Sequence, residues 1–110
     1  MRRVLLIDRS GENPSALAAA LRHHGFEARI EDQHWRAVYA LRQSVPQWEF
    51  VVIVVRIASE EEMALLRDLV VASQQFHQSG LPEFVFAAHS SCAPSLRMKI
   101  TELGARYVRL

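Results

Sequence analysis

The chain holds a single cysteine, Cys92, so no internal disulfide can form, and its cysteine usage suits a reducing compartment. Lys99 is its only lysine and follows Met98, which excludes a Gly-Lys-Ser/Thr phosphate loop. Glycine is scarce, with 4 among 110 residues, and Gly11 stands alone after the first apolar run, so no glycine-rich dinucleotide fingerprint is present. Charge of one sign is lacking too. The 13 basic residues are interspersed with 12 acidic ones, for a formal charge of +1, which gives no electrostatic case for nucleic acid or a membrane surface. No apolar run reaches transmembrane length. Met1-Arg-Arg precedes an aliphatic stretch that Asp8 and Arg9 end too early for a secretory signal core. These absences predict a cytoplasmic protein with no direct nucleic-acid contact and no membrane association.

What is present is apolar. Half the residues are hydrophobic, and 110 residues make one domain, 1–110, large enough for a substantial core. The defining stretch is Phe50-Val-Val-Ile-Val-Val-Arg-Ile57, whose first six residues are apolar and five of those six β-branched. Such a run is too short for a typical helix and too uniformly apolar for a half-exposed strand. It predicts a strand buried on both faces, as in the centre of a parallel sheet, where chemistry gathers at the strand's C-terminal end.

Around it the chain alternates strand and helix signals. Val4–Ile7 reads as a first strand, and Asn13-Pro14 as the N-cap and first position of a helix with Leu17, Ala20, Leu21 and His24 on one face and Gly25 at its end. Phe26–Ile30 alternates as an edge strand would. Asp32 is the expected cap of a second helix that begins near His34, carries the stripe Trp35, Val38, Tyr39, Leu41 and Arg42, and stops at Val45-Pro46. Trp35 is assigned to the core with its indole N–H at the rim, and Trp48 to the bottom of the core. Ser59 with Glu62 forms a capping-box pattern for a third helix running through Met63, Leu66, Leu69, Val70 and Phe76 to Ser79-Gly80. Phe84–Ala88 is a fourth strand, Ser95–Leu103 a fourth helix closed by Gly104, and Arg106–Leu110 a fifth strand. Five alternations with short connections predict a doubly wound α/β domain with a parallel sheet.

The segments Val4-Leu-Leu-Ile-Asp8, Leu21-Arg-His-His-Gly-Phe26, Trp48-Glu-Phe-Val-Val-Ile-Val54, Leu81-Pro-Glu-Phe-Val-Phe-Ala-Ala88 and Gly104-Ala-Arg-Tyr107 together resemble the receiver domain of bacterial two-component response regulators. The resemblance implies a flavodoxin/CheY-like five-stranded sheet of order 2-1-3-4-5, with the family's final helix absent from this chain. It also implies a phosphorylation pocket, because transfer of phosphate to a carboxylate needs a metal and a cation to neutralise crowded charge. Mapped on this sequence the pocket is degenerate. The phosphoacceptor position falls on Val54, the acidic pair on Asp8 and Arg9, the Thr/Ser position on Ala87 and the lysine position near Arg109. The expectation is a pseudo-receiver without catalytic residues, bound metal or cofactor, in which Arg9 either compensates for the metal's charge beside Asp8 or is solvated. Glu31-Asp-Gln-His-Trp-Arg-Ala-Val38 adds a looser resemblance to the degenerate receivers of flagellar and biofilm master regulators.

Other candidate chemistry is thin. Cys92 precedes a helix whose dipole favours a thiolate, but only four residues separate it from Arg97, one short of a phosphatase loop. No two of His23, His24, His34, His77 and His89 have the i, i+4 spacing of a helical zinc site. The resemblance implies a homodimer or partner-protein face on the fourth helix and fifth strand, through Leu96, Ile100, Leu103, Tyr107 and Leu110. The function expected is therefore phosphorylation-independent regulation by protein interaction, in a bacterial signalling or transcriptional regulator. Two alternatives stand beside it. One is a receiver with a relocated acceptor such as Ser90 or Ser91, and the other a small ligand-binding domain using Asp8, Arg9, Arg56 and Cys92.

Overall fold

The structure, a computed structural model, describes residues 2–10, 15–43, 48–76 and 82–110. Strand and helix alternate throughout: β1 (Arg2–Arg9), α1 (Ser15–His23), β2 (Phe26–Glu31), α2 (His34–Arg42), β3 (Phe50–Val55), α3 (Glu60–Phe76), β4 (Glu83–Ala88), α4 (Pro94–Glu102) and β5 (Ala105–Arg109). The strands form one parallel sheet in the order β2-β1-β3-β4-β5, with β3 at its centre and β2 at an edge, as expected.

The pleat divides β3 between two cores. Val51, Ile53 and Val55 join Leu5, Ile7, Phe84, Phe86 and Ala88 beneath α2, α3 and α4. Val54 turns the other way, to Leu6, Ala28, Ala87 and Ala18 of α1. A strand sandwiched this way needs apolar residues at consecutive positions, which is why the sequence shows no alternation there. Each such fully buried side chain contributes roughly 1.5–3 kcal/mol.

The helix ends follow their local chemistry. Gly25 and Gly104 adopt φ of 88° and 84°, the left-handed conformation that lets a chain leave a helix without a Cβ clash. The backbone N–H of Glu62 donates to Ser59 Oγ at 3.3 Å, half of the expected capping box. Trp48 is buried and donates its indole N–H to the Ala40 carbonyl at 3.4 Å, fastening the start of β3 to α2.

Several expectations are corrected. Ala18, with Leu17 and Leu21 partly buried beside it, is the inward residue of α1, whereas Ala20 and His24 are exposed. Gln33, not Asp32, precedes α2, and no side chain caps it. The apolar stripe of α2 is divided, since Leu41 and the partly buried Val38 meet the core and the two aromatic residues do not. Ala37, Ala40 and Leu41 are buried, while Trp35 is 64% and Tyr39 59% exposed. β1 runs longer than its aliphatic stretch because its ladders with β2 and β3 extend from Arg2 to Arg9. β3 ends at Val55, with Arg56 and Ile57 exposed beyond it. Asn13-Pro14, Val45-Pro46 and Ser79-Gly80 lie outside the described residues, as does the side chain of Phe76.

Candidate functional site: the C-terminal edge of the sheet

Parallel register aligns Asp8, Val54, Ala87 and Val108 in one row across β1, β3, β4 and β5. Because neighbouring strands in register present the same face, this row borders the α1 side of the sheet. The next row, Arg9, Val55, Ala88 and Arg109, belongs to the opposite face. Asp8, Val54 and Ala87 are thus brought together as expected. Arg109 is not, since Val108 occupies its row, and a one-residue step in a strand reverses direction.

Asp8 is half-buried and already partnered. Its Oδ1 accepts the Ser10 backbone N–H at 2.9 Å and the Ser10 hydroxyl at 2.6 Å, and Ser10 is itself buried. The side chains of Asp8, Ser10, Leu17, Val54, His89 and Leu110 are among those lining a small cavity of about 230 Å³. The sequence singles out neither Ser10 as a partner of Asp8 nor His89 as a lining residue of its cavity. The side chain two residues along is the signal available for Ser10, an Asx-turn pattern. His89 arrives from β4 through its backbone N–H on the Val55 carbonyl at 3.1 Å, a contact that only the fold creates.

Arg9 does not face this cavity. Its Nε donates to Glu62 Oε2 at 2.6 Å, joining the end of β1 to the first turn of α3 on the other side of the sheet. The compensating-charge reading at Asp8 gives way to this ion pair, while Arg9 stays exposed to solvent at the end of β1. A magnesium site needs several oxygen donors around one point. Here, among the described residues, Asp8 supplies the one carboxylate side chain lining the cavity, one of its oxygens is held by Ser10, and the central position is valine. Among the described residues no three His, Cys, Asp or Glu side chains come together as metal ligands. The described residues do not fit the metal that the receiver resemblance implies.

Ser90, after β4, is engaged in holding loops together. Ser90 Oγ accepts the Ala58 backbone N–H at 3.4 Å and donates to the Ser91 carbonyl at 3.2 Å, while Tyr107 Oη donates to the Ser90 carbonyl at 3.1 Å. Cys92 packs half-buried against the core. Burial pushes its thiol above the ordinary range, with Arg97 opposing more weakly, which suits the incidental loop cysteine that the broken phosphatase spacing implies.

The predicted interface residues divide. Leu96 and Ile100 are buried in the α2–α3–α4 core and present no surface, a correction that follows from their i, i+4 spacing on the inner face of α4. Leu103 and Tyr107 are partly buried against that core, and Leu110 is 52% exposed. Arg97 stacks on the Tyr107 ring at 5.0 Å, and Met98 projects outward.

No protein-family model matches the chain, and no curated protein sequence does. Solved structures do. The chain superposes on Vibrio cholerae chemotaxis protein CheY4 with a TM-score of 0.74 at 14% identity, covering 100% of this chain and 85% of that one. A response regulator from Thermotoga maritima gives 0.74 at 20% identity, over 99% and 84% of the two chains. The pilus assembly protein CpaE from Caulobacter crescentus gives 0.68 at 14% identity, over 97% and 80%. At these identities the likeness establishes the fold, which is that of CheY-like receiver domains. No helix among the described residues is long and apolar enough to cross a membrane.

Proposed function

We propose that the chain is a phosphorylation-independent receiver-like module that regulates by protein interaction, in the cytoplasm of a bacterium, without enzymatic activity of its own. The observation that carries this reading is the row Asp8–Val54–Ala87, which sets a buried valine side chain where the fold's chemistry needs a carboxylate. Valine has no lone pair to attack phosphorus, Arg9 is committed to Glu62, and the nearby Ser90 hydroxyl is held in loop contacts. Solved structures with this fold include proteins titled as response regulators and as pilus assembly proteins, so the fold is compatible with more than one output. A signalling or transcriptional regulator is the setting we favour.

Regulation would then come from association through α4 and β5, where Leu103, Tyr107 and Leu110 remain after Leu96 and Ile100 are withdrawn. Two independent measurements test the reading. Titrating magnesium into the labelled protein should leave the amide resonances of Asp8, Val54 and Ala87 unmoved at millimolar metal; saturable shifts there would contradict it. Sedimentation at micromolar concentration should show a dimer that Leu110→Asp weakens, and a strict monomer would remove the dimer while leaving the magnesium result intact.

A further inference from the structure

The second face of α2 is the part of the surface that neither the core nor the sheet edge accounts for. Trp35, Val38, Tyr39 and Arg42 follow i, i+3, i+4, i+7 spacing and line, with His34, an open groove of about 540 Å³. A second groove continues from it between α2 and α3, past Val38, Arg42, Arg67, Asp68 and Val71. Trp35 and Tyr39 are both more than half exposed, and Val71 is 43% exposed. A soluble surface rarely sets two aromatic rings and an aliphatic side chain together without use. Tryptophan, tyrosine and arginine are also the residues that most often anchor interfaces.

The charge around this surface selects its occupant. Arg42 and Arg67 border the grooves, and Arg36 stacks over the Trp35 ring at 5.2 Å. Among the described residues the one carboxylate lining them is Asp68, whose Oδ2 lies 3.0 Å from His34 Nε2 across α2 and α3. Helix α2 itself contains no acidic residue from His34 to Arg42. A second copy docking α2 on α2 would oppose arginine to arginine. An extended single strand of nucleic acid needs a long basic track, whereas this surface is compact with aliphatic side chains in its floor.

We propose that the α2–α3 surface is a docking groove for an acidic amphipathic helix of a partner protein, its apolar side chains seated among Trp35, Val38, Tyr39 and Val71 and its carboxylates meeting Arg36, Arg42 and Arg67. The groove lies on a different face from the Asp8–Val54 row, so this proposal does not depend on the state of the phosphorylation pocket.

The test uses a synthetic helical peptide with leucine on one face and glutamate on the other, alongside a copy with lysine in place of glutamate. The acidic peptide should shift amide resonances confined to α2 and α3 and bind at least tenfold more tightly than the lysine peptide. Trp35→Ala should weaken it at least tenfold while the thermal midpoint stays near that of the parent, because Trp35 is exposed. The pair Arg36→Glu and Arg42→Glu should reverse the preference between the peptides. Equal binding of both peptides, shifts elsewhere on the fold, no binding at millimolar acidic peptide, or tighter binding of a single-stranded oligonucleotide would each overturn the proposal.

Discussion

Arg9 donates to Glu62 across 2.6 Å, and in doing so takes the side chain that would have completed the cap of α3. Ser59 Oγ still accepts the Glu62 backbone N–H, but the glutamate carboxylate reaches to β1 instead of back to the Ser59 N–H. A residue at the C-terminal edge of the sheet thus serves to fasten strand to helix.

The first prediction concerns that contact. The Glu62 side chain is 17% exposed and that of Arg9 36%, so the pair sits between an exposed and a buried ion pair. Arg9→Ala should cost about 0.5–1 kcal/mol in urea unfolding. A double-mutant cycle with Glu62→Gln should return a coupling of similar size, and strictly additive losses would show the contact to be inert.

Val54 is 3% exposed and packed with Leu6, Ala18, Ala28 and Ala87. Restoring an acceptor as Val54→Asp buries a carboxylate without a cation, beside Asp8. The variant should lose about 3–5 kcal/mol of stability at neutral pH. The loss should shrink as pH falls and the new carboxyl protonates, which denaturant titrations at several pH values will show.

Ser73 offers the opposite case. It is fully buried in α3, and its Oγ has no hydrogen-bond partner among the described residues. Ser73→Ala removes an unsatisfied hydroxyl with little loss of volume, so it should stabilise the fold by about 1 kcal/mol. A thermal or urea midpoint that falls would show that the hydroxyl is satisfied in solution.

Cys92 tests the reading of its loop. Burial raises its thiol, which therefore stays protonated at neutral pH. Alkylation by iodoacetamide should be slower than that of a free cysteine at neutral pH and should accelerate only above the ordinary thiol range. Arg97→Ala, by removing the opposing positive charge, should slow it further.

The architecture was legible because α/β repeats leave strong marks: the β-branched run of β3, the glycines that close α1 and α4, and the Ser59 cap. The site was legible in part. Asp8, Val54 and Ala87 fall in one row because strand ends can be counted from the apolar runs. Arg109 and Arg9 were misplaced because a single residue of register reverses the face, and no local pattern fixes it. Trp35 and Tyr39 were misread for another reason. Periodicity finds an apolar stripe but does not say which face meets the sheet, and here alanines at 37 and 40 take that place. Leu96 and Ile100 show the same ambiguity reversed, as core residues mistaken for surface ones. Ser10 left only a local Asx-turn spacing, while His89 reaches the Asp8 cavity by a tertiary approach that no spacing records.

The central claim is that the row Asp8–Val54–Ala87 holds no phosphoacceptor. Incubation of the protein with acetyl phosphate and magnesium, followed by intact-mass spectrometry, tests it most directly. The mass should stay unchanged under conditions that label a functional receiver in the same vessel. A labile gain of one phosphoryl group on this chain would contradict it.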